Sequence, residues 1–204
     1  QLSASARKLH THLSTRDIFQ KKTIAELVRY ATSSTPLHVA RLAEDPVDTP
    51  FGLSPIQELY LRLESTGRAT FDQCFFLELR TQVALESLCT ALKTLVQRHS
   101  MLRARFQKAA GGGWQQCISE STDTSFTVRH VQSHDLDEIV EAIRQSRSSL
   151  DIETGPVLSA VLFDKDMHQT LFVVVHHLAI DLVSWRVLLE ELEDLLCDRT
   201  LSPM

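Results

Sequence analysis

No apolar run in this chain is long enough to cross a membrane. The strongest, Leu171 to Val175, runs straight into His176 and His177, far short of the ~20 residues a spanning helix needs. Basic charge is not in excess either. The 204 residues carry 21 Lys+Arg against 26 Asp+Glu, a formal net charge of −5, without the basic face expected of a nucleic-acid protein. No apolar stretch follows the charges of QLSASARKLH, so the N-terminus is not a secretory signal. Cys74, Cys89, Cys117 and Cys197 form no C-x-x-C pair, which suits four independent thiols in a reducing compartment better than a zinc site or a disulfide frame. A cytoplasmic protein with neither membrane nor nucleic-acid partner is the expectation. There is no internal repeat and no low-complexity tract.

What is present alternates between helical and strand-like patterns. Leu2, Ala6 and Leu9 share a helical face that begins at Gln1 without a capping residue, as a helix entered part-way does. Ser14 and Asp17 frame a short turn ending at Phe19, and Thr23 caps a helix carrying Ile24, Leu27, Val28 and Ala31. From Ser33 to Pro50 the periodicity dissolves among Pro36, Pro46 and Pro50, the composition of a linker. Ser54 and Pro55 then open the helix IQELYLRL. Residues 71–80 read as a strand and residues 83–98 as an amphipathic helix with Leu88, Leu92, Leu95 and Val96 on its apolar side. A strand over residues 101–106, a GGG turn at 111–113 and a return strand over 114–118 form a hairpin. A strand at 126–130, a helix at 136–146, neighbouring strands at 156–163 and 170–175, and a helix from about Ser184 to Leu196 complete the chain. Such interleaving predicts a layered α/β or α+β domain behind a short helical N-terminal segment.

Chemistry concentrates in FVVVHHLAIDLVSWRVLLEEL, where a buried strand ends at His176 and a short loop carries Asp181 into a helix. Polar groups at a strand end are where open sheets commonly place sites. An imidazole exchanges protons near neutrality, so either histidine is a general-base candidate. Asp181 would orient a ring nitrogen or brace the loop by pairing with an arginine. A purely structural reading stands beside this one, because buried histidines often only satisfy backbone groups. Adjacent histidines point in different directions and no H-E-x-x-H spacing occurs, which disfavours a metal site. Ser184 follows His177 and Asp181 closely, but no G-x-S-x-G elbow surrounds it, and it more simply caps the last helix. The GGG turn opens no helix and lacks the G-K-[ST] of a phosphate loop.

His176, His177 and Asp181 match the HHxxxD signature of the condensation superfamily of nonribosomal peptide synthetases. SPIQELYL at 54–61 resembles that superfamily's first core motif and RHSMLRARF at 98–106 its second, in the family's order. DLVSWR, with Trp185, and FDQ at 71–73, where epimerization domains commonly show FNQ, resemble the epimerization branch in its fungal form. Two positions depart from the usual pattern: Leu182 stands where condensation members often carry glycine, and Asp72 replaces the asparagine. LSTRDIFQKKTIAELVRYA resembles the closing helices of a peptidyl carrier domain.

The resemblance implies an arrangement of domains: residues 1–33 as the end of a carrier domain whose phosphopantetheine-bearing serine lies upstream of Gln1, 34–49 as linker, and 50–204 as the N-terminal lobe of a chloramphenicol-acetyltransferase-like domain. It implies a carrier-bound epimerase, an isomerase acting on an L-aminoacyl or peptidyl thioester, with condensation or non-catalytic carrier docking as alternatives. His177 and His176 are its catalytic candidates; the acid/base role falls to His177, while His176 is the more structural of the two. A glutamate from the second lobe would be the other acid/base group, and the fragment alone is expected to be inactive. Asp181 is expected to pair with Arg98 or Arg103, for which a solvated charge pair at a helix end is the plainer reading. Trp185 would flank a tunnel or fill core, Ser184 would support the loop, and Gln57 would make a polar contact inside the lobe. No cofactor or metal of its own is implied: the 4′-phosphopantetheine arm of a carrier delivers the substrate, and adenylation and condensation domains are the further partners.

Overall fold

The run Leu171 to Val175 has no polar face, which requires cover on both sides. The computed structural model supplies it; the structure describes residues 20–21, 23–33, 47–63, 71–165 and 168–201. The chain divides into two compact units, Gln1–Glu44 and Asp45–Met204. In the first, α1 (Ile24–Ser33) starts where Thr23 accepts the Glu26 N–H on its hydroxyl at 3.2 Å. The helix read from Leu2, Ala6 and Leu9 and the turn at Ser14 and Asp17 lie outside the described residues.

The second unit runs α2 (Pro55–Leu63), β1 (Asp72–Leu79), α3 (Leu85–Arg98), a 3₁₀ turn (Ser100–Arg103), β2 (Ala104–Lys108), β3 (Trp114–Ile118), β4 (Phe126–Val131), α4 (Leu136–Ser148), β5 (Leu158–Lys165), β6 (His168–His176) and α5 (Leu182–Leu196). Four strands form one sheet in the order β1-β6-β5-β4. The β1–β6 and β5–β6 pairs are antiparallel, whereas β4 and β5 are parallel. A parallel pair needs a crossover, and α4 provides it.

Alternation along β6 divides its apolar side chains between two layers. Leu171, Val173 and Val175 join the cluster containing Leu88, Leu92 and Val96 of α3 and Trp185, Leu188 and Leu192 of α5. Phe172 and Val174 face the cluster that holds Ala142 of α4. Each fully buried side chain of this size contributes ~1.5–3 kcal/mol, so the sheet is fixed from both faces and β6 can end in polar residues without losing its register.

The β2–β3 hairpin stands apart, pairing Ala104 with Ile118 and Lys108 with Trp114. Its turn places Gly112 at φ 91°, a conformation glycine adopts without the Cβ penalty. A third cluster, with Leu61 of α2, Phe106, Ile118 and Leu178, ties the hairpin to the loop after β6.

Three boundaries differ from the sequence expectation. Residues 100–103 are a 3₁₀ turn rather than strand, because the Arg103 guanidinium reaches back to the Val96 and Gln97 carbonyls at 2.6 Å each, which are among the last four of α3 and lack helical donors. Val47, at the end of the stretch 34–49 expected as linker, bridges β3 at Ile118, and Phe51 just beyond it exchanges two backbone hydrogen bonds with Gln116 at 2.8 and 3.1 Å; residues 34–46 of that stretch lie outside the described residues. The last helix begins at Leu182, not Ser184, and its cap is Asp181.

Candidate functional site at the end of the central strand

β6 delivers two adjacent histidines to opposite environments. His176 is 5% exposed. Its ring lies edge-on to Tyr60 and Phe71, with centroids 6.3 and 6.2 Å away, and its Nδ1 accepts the Leu178 N–H at 3.3 Å. Burial pushes its pKa down to about 4, against the opposing pull of the Asp72 carboxylate, while the neighbouring His177 adds to the fall. Asp72 is itself held by Arg147 at 3.1 Å.

His177 is half-buried. Its backbone N–H donates to the Phe71 carbonyl at 2.7 Å, and its ring tilts against Phe71 at 4.7 Å between centroids. Its Nδ1 lies 2.8 Å from the Ile180 carbonyl and its Nε2 lies 3.1 Å from Gln73 Nε2. Gln73 in turn accepts the Trp185 indole N–H at 2.9 Å. Trp185 is 1% exposed and sits T-shaped on Phe75 at 4.9 Å. It is therefore core with a polar tip directed at the histidine's partner.

Asp181 is a helix cap rather than an arginine partner. Its Oδ1 accepts the Ser184 N–H at 2.7 Å, and the Ser184 backbone and then hydroxyl hydrogen bonds hold its carboxyl below the usual carboxylate range. The first N–H groups of any helix lack acceptors, and an aspartate three residues before a free N–H satisfies one at little cost. Ser184 supplies that donor and is not itself the cap. Arg98 instead pairs with Glu191 of α5 at 3.1 Å, and His99 meets the same carboxylate at 2.7 Å. Arg103 donates to the Ser119, Val96 and Gln97 carbonyls. Both arginines thus brace the C-terminal end of α3, one against α5 and the other against the hairpin. Asp181→Ala should accordingly cost about 1 kcal/mol, the loss of a cap, not the ~3–5 kcal/mol of a stranded buried charge. Urea unfolding measures this, and a loss of the larger size would restore a buried ion pair.

Gln57 is buried and holds the loop from the other side. Its Nε2 donates to the Leu178 carbonyl at 3.0 Å, and its Oε1 accepts both the Ser54 N–H at 2.8 Å and a Gln116 amide N–H at 3.0 Å. The first contact immobilises the residue after His177; the second is the back-reaching half of a capping box, S-x-x-Q at the start of α2.

The structure gathers His177, Asp181, Ser184, Trp185 and Gln57 around one loop, and sets Arg98 and Arg103 at the end of α3. Sequence reading took in Gln73 only as part of FDQ and gave it no role of its own. Its available signal was a second polar residue, after Asp72, in the FDQCFF stretch, whose register partner is Val175, next to the histidines. Among the described residues, no group of three or more His, Cys, Asp or Glu could hold a metal ion, and no helix is long and apolar enough to cross a membrane. Cys74, Cys89, Cys117 and Cys197 are free thiols.

A four-stranded mixed sheet with one crossover helix, a detached hairpin and paired histidines leaving the central strand defines a chloramphenicol-acetyltransferase-like α/β domain. The chain belongs to the condensation-domain family, whose sequence model matches residues 48–201. It is 44% identical over 211 residues, covering 99% of its length, to nonribosomal peptide synthetase dtxS1 of Metarhizium robertsii, and 38% identical over 204 residues to nonribosomal peptide synthetase ungA' of Aspergillus campestris. The chain spans only 3% and 2% of those proteins. Among solved structures, the epimerization domain from the third module of tyrocidine synthetase B superposes with a TM-score of 0.67 at 25% identity, over 79% of this chain and 39% of that one. The condensation domain from Monacolin K polyketide synthase MokA shares the fold, with a TM-score of 0.64 at 21% identity over 78% and 36% of the two chains.

Proposed function

We propose that this chain is the N-terminal lobe of an epimerization domain in a nonribosomal peptide synthetase, and that His177 moves the Cα proton of an L-aminoacyl or peptidyl residue held as a thioester on a carrier. The observation that carries the reading is the setting of His177: a half-buried imidazole at the end of a rigid strand, with Nδ1 on the Ile180 carbonyl and Nε2 turned toward Gln73. A thioester carbonyl conjugates weakly with sulfur, so its α-proton is more acidic than that of an ester or amide. A positioned imidazole is suited to take it, and hydrogen-bond donors near the carbonyl oxygen would stabilise the enolate. Inversion needs a second acid/base group on the opposite face, which we assign to a glutamate of a second lobe. The 4′-phosphopantetheine arm of the carrier brings the substrate. Residues 1–33 are proposed as the end of such a carrier domain, on the likeness of their sequence.

The likeness to the tyrocidine synthetase epimerization domain and the DLVSWR and FDQ segments support this branch. The family match itself favours a second reading, condensation, in which His177 assists attack of an amine on an acyl thioester. The complete synthetase, its carrier loaded with the L-residue in deuterium oxide, separates them. Epimerization gives a released residue that is a D/L mixture deuterated at Cα; a new amide with the L-configuration retained and no label overturns it in favour of condensation. A carrier-docking lobe without chemistry gives neither product.

A further inference from the structure

We propose that Gln73 is a positioning residue that fixes the tautomer of His177 and thereby supplies the base with its lone pair. The inference rests on the reading of His177 as the base, but its structural half stands on donors and acceptors alone. An indole N–H can only donate, so the 2.9 Å contact from Trp185 Nε1 identifies the near atom of Gln73 as its carbonyl oxygen. The amide nitrogen is then the atom 3.1 Å from His177 Nε2. An amide nitrogen carries two hydrogens and accepts none, which obliges Nε2 to offer a lone pair. At the other side of the ring, a backbone carbonyl can only accept, so Nδ1, 2.8 Å from the Ile180 oxygen, holds the proton. Four groups in line permit one protonation pattern: Trp185 donates to Gln73, Gln73 to His177, and His177 to Ile180.

The line is anchored at both ends. Trp185 is packed into the core against Phe75, so its N–H cannot turn away and Gln73 cannot present its oxygen to the histidine. Ile180 belongs to the loop whose neighbour Leu178 is held by Gln57. With the opposite tautomer, Nε2–H would face an amide N–H and the Ile180 carbonyl would face a bare nitrogen. A histidine in that form has no lone pair at Nε2 with which to remove a proton. Since one sp² lone pair serves one donor, the Gln73 amide must yield its place when a substrate C–H arrives. Gln73 therefore acts through His177 and is not itself the group that takes the proton.

The test reads the ring nitrogens directly. In the full 204-residue chain labelled with ¹⁵N-imidazole histidine, long-range ¹H–¹⁵N correlation should show His177 with a protonated, pyrrole-type Nδ1 and an unprotonated, pyridine-type Nε2, the signals being assigned by their loss in His177→Gln. Gln73→Glu keeps the size and still accepts from Trp185, but turns an acceptor toward Nε2; both nitrogens should become pyrrole-type. In the complete synthetase the same variant should slow Cα proton exchange ~10²-fold with carrier loading unchanged. Trp185→Phe removes the N–H that orients Gln73, so Gln73 can turn its oxygen toward Nε2 while the Ile180 carbonyl still holds Nδ1–H, and a pyrrole-type Nε2 signal should appear; it decides the matter if Gln73→Glu does not fold. A wild-type Nε2–H signal, or variants with the wild-type tautomer, overturns the proposal. The spectra need no turnover, so failure of His177 as base would show as retained exchange in His177→Ala while the tautomer result stood.

Discussion

His177→Ala in the complete synthetase should lower exchange of the Cα proton by ~10²–10⁴-fold, the usual contribution of a positioned acid/base group, and leave the fold in place. The expectation of a stable protein follows from the contacts the ring makes. It is half-buried, and its polar partners are the Gln73 amide and one loop carbonyl, so the substitution removes two hydrogen bonds at the strand end and none of the buried apolar side chains of the sheet. Its backbone bond to Phe71, at 2.7 Å, which closes the β1–β6 end of the sheet, survives the substitution. Deuterium incorporation into the tethered residue is the direct measurement, with far-ultraviolet circular dichroism as the control for folding. Near-normal incorporation would remove His177 from the chemistry. Under the condensation reading the same variant would instead lose amide formation, so the two product assays together assign the reaction as well as the residue.

Much of the fold was legible because its strongest signals are local. The apolar positions of residues 85–98 recur at helical spacing, and the β6 run is apolar on both faces; both patterns persist in the structure as α3 and β6. The interleaving of strand and helix also gave the parallel β4–β5 crossover its connecting helix. The site was legible only to the level of its loop. HHxxxD places His177 and Asp181 four residues apart, but spacing does not say which way a carboxylate turns. The competing principle was helix capping: Asp181 precedes a helix whose first N–H groups need an acceptor, and Ser184 offers one at the right offset. Arg103 was drawn away for the complementary reason, since the unsatisfied carbonyls at the end of α3 outbid a distant carboxylate. Gln73 was read only within FDQ, and its own role was illegible because it depends on Trp185, 112 positions away, which only the β1–β6 register brings near.

Acid should destabilise this domain through His176, and the sign follows from burial. In the unfolded chain His176 titrates near ~6.5; in the folded chain burial pushes it down to about 4. As pH falls through this interval the unfolded state takes up the proton first, so stability is fully present above about 6.5 and is progressively lost until about 4, below which both states carry it. A separation of this size corresponds to about 3 kcal/mol, a large share of the ~5–15 kcal/mol typical of a folded domain. The carboxylates held below their usual range, such as Asp181 and Asp151, lose their contributions at lower pH, which leaves the upper part of the window to His176. His176→Gln isolates the effect, because its side chain stays neutral throughout. Urea unfolding at pH 7.5 and at pH 4.5 should show wild-type stability falling relative to the variant by most of that 3 kcal/mol; parallel falls would mean that His176 is not held neutral by its surroundings. The two histidines thus divide the strand end. His176 stays neutral where it seals β6 against Tyr60 and Phe71, and the next residue, His177, presents the Nε2 lone pair that the proposed chemistry uses.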